Sequence, residues 1–328
     1  MTDITWTWWG WNLIYDLRVM LQYEFVRNAF EAGTVIAILA GVVSYLVVLR
    51  RSSFAAHALG HVGFSGAAGA VLFGVAPIYG LLLFTTISGS GIALLGQKAS
   101  HRDVEIGTVL AFMLGLGLLF LAFYNGFATE AYSILFGEIV GISNSQVLFT
   151  VETSLVVLAV LAVVYRQLLF ASLDEEVAEA KGMHTLVLGV IFMLALAVAI
   201  SIAVTIIGVL LIFALTVTPA AIAIRLAQRP VVAVLISVLV ALFATWAGIF
   251  IAFYEVEPTS FFIVTIVFVL YVFVRILPVL SRVKPGRTPK IPSSTGGGAR
   301  NLPVPGSGGT TLSSEPGKAI AAPEASGA

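Results

Sequence analysis

The sequence predicts an all-α fold, a polytopic transmembrane helical bundle of about eight or nine spans, and three observations carry that reading. Of 328 residues, 59% are hydrophobic and 10% are charged, whereas a soluble domain needs roughly 25% charged residues to cover its surface. Mean hydropathy is +1.05. The apolar residues also fall in separate runs, each near the roughly 20 residues that carry a helix across about 30 Å of hydrocarbon. One large soluble core would not divide its apolar residues this way.

The runs lie at about 28–49, 54–76, 77–97, 104–124, 146–170, 185–206, 208–226, 231–253 and 260–280. Lys and Arg collect on the cytoplasmic side of spans. The basic groups are Arg50–Arg51, Lys98–Arg102, Arg166–Lys181, Arg225–Arg229 and Arg275–Lys290, which follow the odd-numbered runs. The connections after the even runs hold no Lys or Arg but do hold Glu130, Glu138, Glu255 and Glu257. Alternation therefore predicts nine crossings, with the N-terminus outside and the C-terminus inside. Arg18 and Arg27 fall on the outer side against this rule, which an interfacial helix tolerates. The division of 185–226 at Ile206–Gly208 rests on length and charge parity alone.

Flanking segments differ in composition. Residues 1–27 carry Trp6, Trp8, Trp9, Trp11 and Tyr15, which suit a segment at the lipid interface, and no basic leader precedes them. Residues 28–280 form the transmembrane domain. From 281 to 328 the chain turns to Gly, Pro, Ser and Ala, which bury too little apolar surface to order, so a disordered cytoplasmic tail is expected. Between the fifth and sixth runs, 172–183 reads as a short charged helix, with Asp174, Glu175, Glu176 and Glu179 early and Lys181 late, the order that suits a helix dipole.

The second run carries the chemistry. His57 and His61 are four residues apart and so neighbours on one helix face. Ionisable residues inside a membrane are expensive, and they point to function by default. Two imidazoles suit a divalent transition metal better than Mg or Ca. They are half of the usual four zinc ligands, with water, acidic residues or the same His of a second subunit as open possibilities for the rest. Packing among helices is the competing explanation, because Gly60, Gly63, Gly66, Gly69 and Ser65 let a neighbour approach closely as readily as they leave room for a pathway. Glu31 and Glu152 read as rim residues, and His101 and His184 as cytoplasmic surface. Thr216, Thr218 and Pro219 interrupt the seventh run and predict a kink.

Absences narrow the function. With no Cys, disulfides, thiolate metal sites and thiol nucleophiles are all excluded. No phosphate-binding loop, HExxH or G-x-S-x-G motif occurs, so the chain is not expected to be an enzyme or to convert energy by itself. A proton-coupled carrier would want more intramembrane carboxylates than the runs hold.

Three blocks resemble the ABC-3 type permeases of zinc, manganese and iron importers. They are VVLRRSSFAAHALGHVGFSG (Val47–Gly66), FASLDEEVAEAKGM (Phe170–Met183) and IGVLLIFALTVTPAAIA (Ile207–Ala223), with support from Arg102–Gly107 and Ile134–Ser143. The resemblance implies an ATP-driven importer of a divalent metal. In it this chain pairs with a second permease copy in the lipid bilayer of a bacterial cell membrane, with a cytoplasmic ABC ATPase and with an external metal-binding protein. No nucleic-acid partner and no permanently bound cofactor are expected. It also implies that 172–183 couples to the ATPase through Asp174, Glu175, Glu179 and Gly182. His61 matches the family's His, whereas His57 stands where relatives carry Asp and Gly60 where they carry Ser. Imidazole in place of carboxylate, and a likeness to the Azt-type zinc permeases, make Zn²⁺ the expected transported ion, with Mn²⁺ or Fe²⁺ as the alternative.

Overall fold

A computed structural model describes residues 19–95, 99–124, 141–254 and 258–282, together with Leu135 and Gly137. The expectations for 1–18, the 125–134 loop, Glu138, Glu255, Glu257 and the tail beyond 282 lie outside the described residues. Within them the secondary structure is helical and there is no strand. That is the outcome hydrocarbon enforces, since every backbone N–H and C=O must be satisfied inside the segment itself.

The helices are α1 (Glu24–Leu49), α2 (Ser53–Leu72), α3 (Pro77–Leu95), α4 (Ala99–Phe123), α5 (Asn144–Leu173), α6 (Glu175–Ala180), α7 (Thr185–Ile207), α8 (Val209–Leu226), α9 (Pro230–Tyr254) and α10 (Thr259–Arg282). Their ends follow local chemistry. Proline opens α3 and α9, where its missing N–H has no intrahelical partner to lose. A capping box joins Ser143 and Gln146 at the start of α5. At Gly208, φ is +81°, a value that side chains other than hydrogen resist, and this single residue divides α7 from α8. The expected break at Ile206–Gly208 is therefore present.

Boundaries shift elsewhere. The first helix begins at Glu24 rather than 28, so the last residues assigned to the interfacial segment belong to α1. The second ends at Leu72, ahead of a turn through Gly74. The fourth starts at Ala99 because its polar first turns continue the helix before the apolar run begins. Helix α5 has 30 residues, hence about 45 Å of length, more than the hydrocarbon needs, and its end leads directly into α6.

Among the described residues eight helices are long and apolar enough to cross a membrane; α2 is the remaining long helix there. It is also among the most enclosed, packing against α3, α4, α7 and α8. Close contacts fix the directions. Gly33 faces Thr245 and Ile249 while Gly41 faces Val238, so α1 and α9 are antiparallel. Gly63 meets Leu81 and Gly66 meets Gly80, which makes α2 and α3 antiparallel as well. At Gly66 and Gly80 the backbones touch so closely that a Cβ on either would enter the other's carbonyl oxygen. Helices α3 and α7 run antiparallel through Gly89 with Met193 and Ala197, and through Thr85 Oγ1 and Ser201 Oγ at 2.7 Å. Each of these pairings has the sense that strict alternation of crossings requires.

Several polar groups tie neighbouring segments together. Ser237 Oγ donates to the Gly41 carbonyl at 2.8 Å, Asn28 Nδ2 to the Ile142 carbonyl at 3.0 Å, and Ser65 Oγ to the Met113 carbonyl. The interruption in α8 is pinned in the same way. Thr216 Oγ1 donates to the Ile212 carbonyl at 2.9 Å, and the Ala220 N–H beside Pro219 donates to buried Ser44 Oγ of α1 at 3.1 Å. Such bonds fix the register of helices that share no hydrophobic drive to associate in lipid.

Candidate metal path and cytoplasmic coupling helix

Helix α2 presents almost nothing to its surroundings. Every residue from Val62 to Ala70 is buried, while His57 and His61 are half-buried on the one side left partly open. Their rings lie 4.6 Å apart between centres, inclined at 82°. Two imidazoles bonding one ion through nitrogen at about 2.0–2.1 Å in tetrahedral geometry have ring centres about 5 Å apart. The observed separation is close to that value. Phe213 of α8 flanks His57 on a further edge, 4.8 Å away and inclined at 68°.

The glycines around the pair are filled by neighbours. A Cβ at Gly60 would meet Ile212 at 3.3 Å, one at Gly63 would meet Leu81 at 2.7 Å, and one at Gly69 would meet Phe120 at 3.1 Å. Packing therefore accounts for the small residues, while the His pair stays at the open face. Among the described residues no group of three or more His, Asp or Glu gathers to hold a metal. The arrangement brings two imidazoles together without a third ligating side chain among the described residues. Glu31 forms an ion pair with Arg27 at 3.9 Å, with both side chains more than half exposed, and lines an apolar recess with Phe30, Thr34, Val147 and Val151. Glu152 and His184 are exposed.

The charged segment expected at 172–183 contains α6, one and a half turns long. Asp174 is its N-cap and accepts the Val177 N–H at 3.0 Å. Glu179 accepts a hydrogen bond from Thr185 Oγ1 of α7 at 2.5 Å, and Lys181 Nζ sits 4.7 Å from the Phe170 ring centre. Gly182 takes φ +79° in the turn that follows. Ala178 is fully buried, whereas Glu175, Glu176, Leu173 and Val177 face outward. Two of the four sequence-selected residues, Asp174 and Glu179, are thus engaged with this chain itself. Leu173 and Val177 are exposed apolar residues in this charged stretch that the sequence alone did not single out. Phe213 was overlooked at the His pair.

A model of the ABC 3 transport family matches residues 22–277. The chain is 28% identical to the manganese transport system membrane protein MntC of Listeria monocytogenes over 65% of this chain and 76% of that one. It is 27% identical to the manganese import system permease protein ScaB of Streptococcus gordonii over 71% and 84%. Among solved structures it is similar to PsaBC from Streptococcus pneumoniae, in complex with Fab, with TM-score 0.72 and 25% identity, covering 80% of this chain and 95% of that one. With its helical bundle, its membrane-spanning runs and a family match over most of its length, the chain belongs to the ABC 3 transport family and is a multi-pass permease subunit of an ABC metal importer.

Proposed function

We propose that this permease passes a divalent transition metal ion along a route flanked by His57 and His61. One observation carries the reading: the two imidazoles sit 4.6 Å apart on the only partly open face of an otherwise enclosed helix. A second permease copy brings its own pair to the route and completes the ligand set. Two nitrogens per chain hold an ion loosely, as transport requires, since an ion that enters must also leave.

Manganese is the first candidate substrate, because similar permeases are named for it. Zinc is the second reading, and His57 favours it: imidazole suits zinc better than the carboxylate that the family resemblance places there. An external binding protein delivers the ion. A separate ATPase drives alternating access by engaging 172–183, which charge alternation assigns to the cytoplasm. Glu175, with Leu173 and Val177, faces that partner; Asp174, Glu179 and Gly182 shape the segment that meets it.

Replacing His57 and His61 together by Ala should abolish uptake of radioactive Mn²⁺ and Zn²⁺ while the permease still co-purifies with its ATPase. Wild-type uptake by the double variant would remove these residues from the route. Competition between the two ions for wild-type uptake then decides the substrate.

A further inference from the structure

We infer that Phe213 is a positioning residue for the metal path, holding the His57 ring in the orientation that lets it share an ion with His61. The inference rests on the reading that this pair binds the ion, and it adds a residue from a different helix.

A half-buried imidazole at an open face has several staggered rotamers available. The His57 ring has two aromatic neighbours, His61 at 4.6 Å and 82° and Phe213 at 4.8 Å and 68°. Edge-to-face contacts of this kind are the favoured geometry for aromatic rings. Phe213 is itself held in place. Residues 209 and 212, on the turn before it, press against α2 at Gly60, where a Cβ would come within 3.3 Å of Ile212 and 3.9 Å of Val209. The approach at Gly60 sets the height of Phe213 on α2, level with His57 rather than with the buried residues beyond.

Exposure separates this role from ordinary packing. Phe213 is 40% exposed and shares the open side with the pair instead of filling the core. A phenyl ring has no lone pair to offer a metal, so it acts by orienting His57 and by excluding water from one flank. The ion is left to approach from the other.

Titration of the full-length permease in lipid nanodiscs with Zn²⁺ and Mn²⁺, followed by calorimetry, tests this. Phe213→Ala and Phe213→Leu should each weaken ion binding by the roughly three- to tenfold that an aromatic edge contact is worth. Phe213→Tyr should bind as wild type. In a His57→Ala background, Phe213→Ala should weaken binding no further. Wild-type affinity in Phe213→Leu would show that volume alone matters and would overturn the inference, as would an equal loss with His57 already removed. If His57→Ala and His61→Ala bind both ions normally, the metal path itself is misplaced. If they lose binding while every Phe213 variant keeps it, only the role of Phe213 fails.

Discussion

The hydrogen bond from Thr185 to Glu179 offers a direct test of how the short helix α6 is fastened. Helix α6 has 6 residues, too few to persist alone, since isolated helices shorter than about 12–15 residues are marginal in water. It is held by the burial of Ala178, by Lys181 over Phe170 and by Glu179 on Thr185. Thr185→Val keeps the shape of a side chain that is 6% exposed and removes only its hydroxyl. A hydrogen bond to a charged acceptor contributes about 1.5–3 kcal/mol. Glu179 is exposed and regains water when released, so the lower end applies, about 1.5 kcal/mol, or roughly tenfold in the opening equilibrium. Hydrogen–deuterium exchange of the peptide spanning 174–183 reads that equilibrium directly, because local opening governs amide protection. Thr185→Val and Glu179→Ala should each raise exchange about tenfold, their combination should add little, and Thr185→Ser should resemble wild type. Unchanged exchange in both single variants would show that α6 is docked by apolar contact alone, and the joint between α6 and α7 would have to be sought elsewhere.

Two further substitutions test the packing and the choice of ion. Gly66→Ala puts a Cβ into the Gly80 carbonyl oxygen and within 2.8 Å of Phe84 Cβ, and overpacking of this sort costs about 1–3 kcal/mol or more. The thermal midpoint of the purified permease should fall, whereas Gly91→Ala, with nothing within 4 Å of its Cβ, should leave the midpoint unchanged or raised. Equal midpoints for the two variants would contradict the close approach of α2 and α3. His57→Asp exchanges imidazole for a harder carboxylate and should raise uptake of Mn²⁺ relative to Zn²⁺ in a competition assay. An unaltered ratio would mean that His57 does not touch the ion.

Much of the bundle was legible because hydrocarbon leaves the chain few choices. Continuous apolar runs had to be helices, and the alternation of basic connections matches the antiparallel packing of α1 with α9, α2 with α3 and α3 with α7. The break at Gly208 was legible too, since glycine is the residue that tolerates its φ of +81°. Helix ends were less so. The polar start of α4 and the long end of α5 continue beyond the apolar runs that announced them. At the site, spacing by four was enough to place His57 beside His61. Phe213 was not legible, because its contact depends on how α8 crosses α2 at Gly60, a matter of which side chains fill the seam. The intrachain contacts of Asp174 and Glu179 were not legible either, because an acidic residue that caps its own helix looks in sequence like any other acidic residue.

Helix α2 shows how a helix that carries two imidazoles is accommodated in an apolar bundle. It is the long helix that does not qualify as a crossing by composition, and His57, His61 and its glycines are the cause. A helix bearing two imidazoles cannot face lipid cheaply, so it has to be wrapped by other helices. The glycines that lower its hydropathy are the same residues that let α3, α4 and α8 close around it, through Gly63 and Gly66, Gly69, and Gly60 respectively. Enclosure on those sides leaves one half-open face, and it carries the His pair together with Phe213. Exchanging the glycines for larger apolar residues would raise hydropathy and make α2 a better span by composition. It would also force the neighbours apart and expose the imidazoles to lipid, so the close packing around α2 and the placement of the His pair depend on the same glycines.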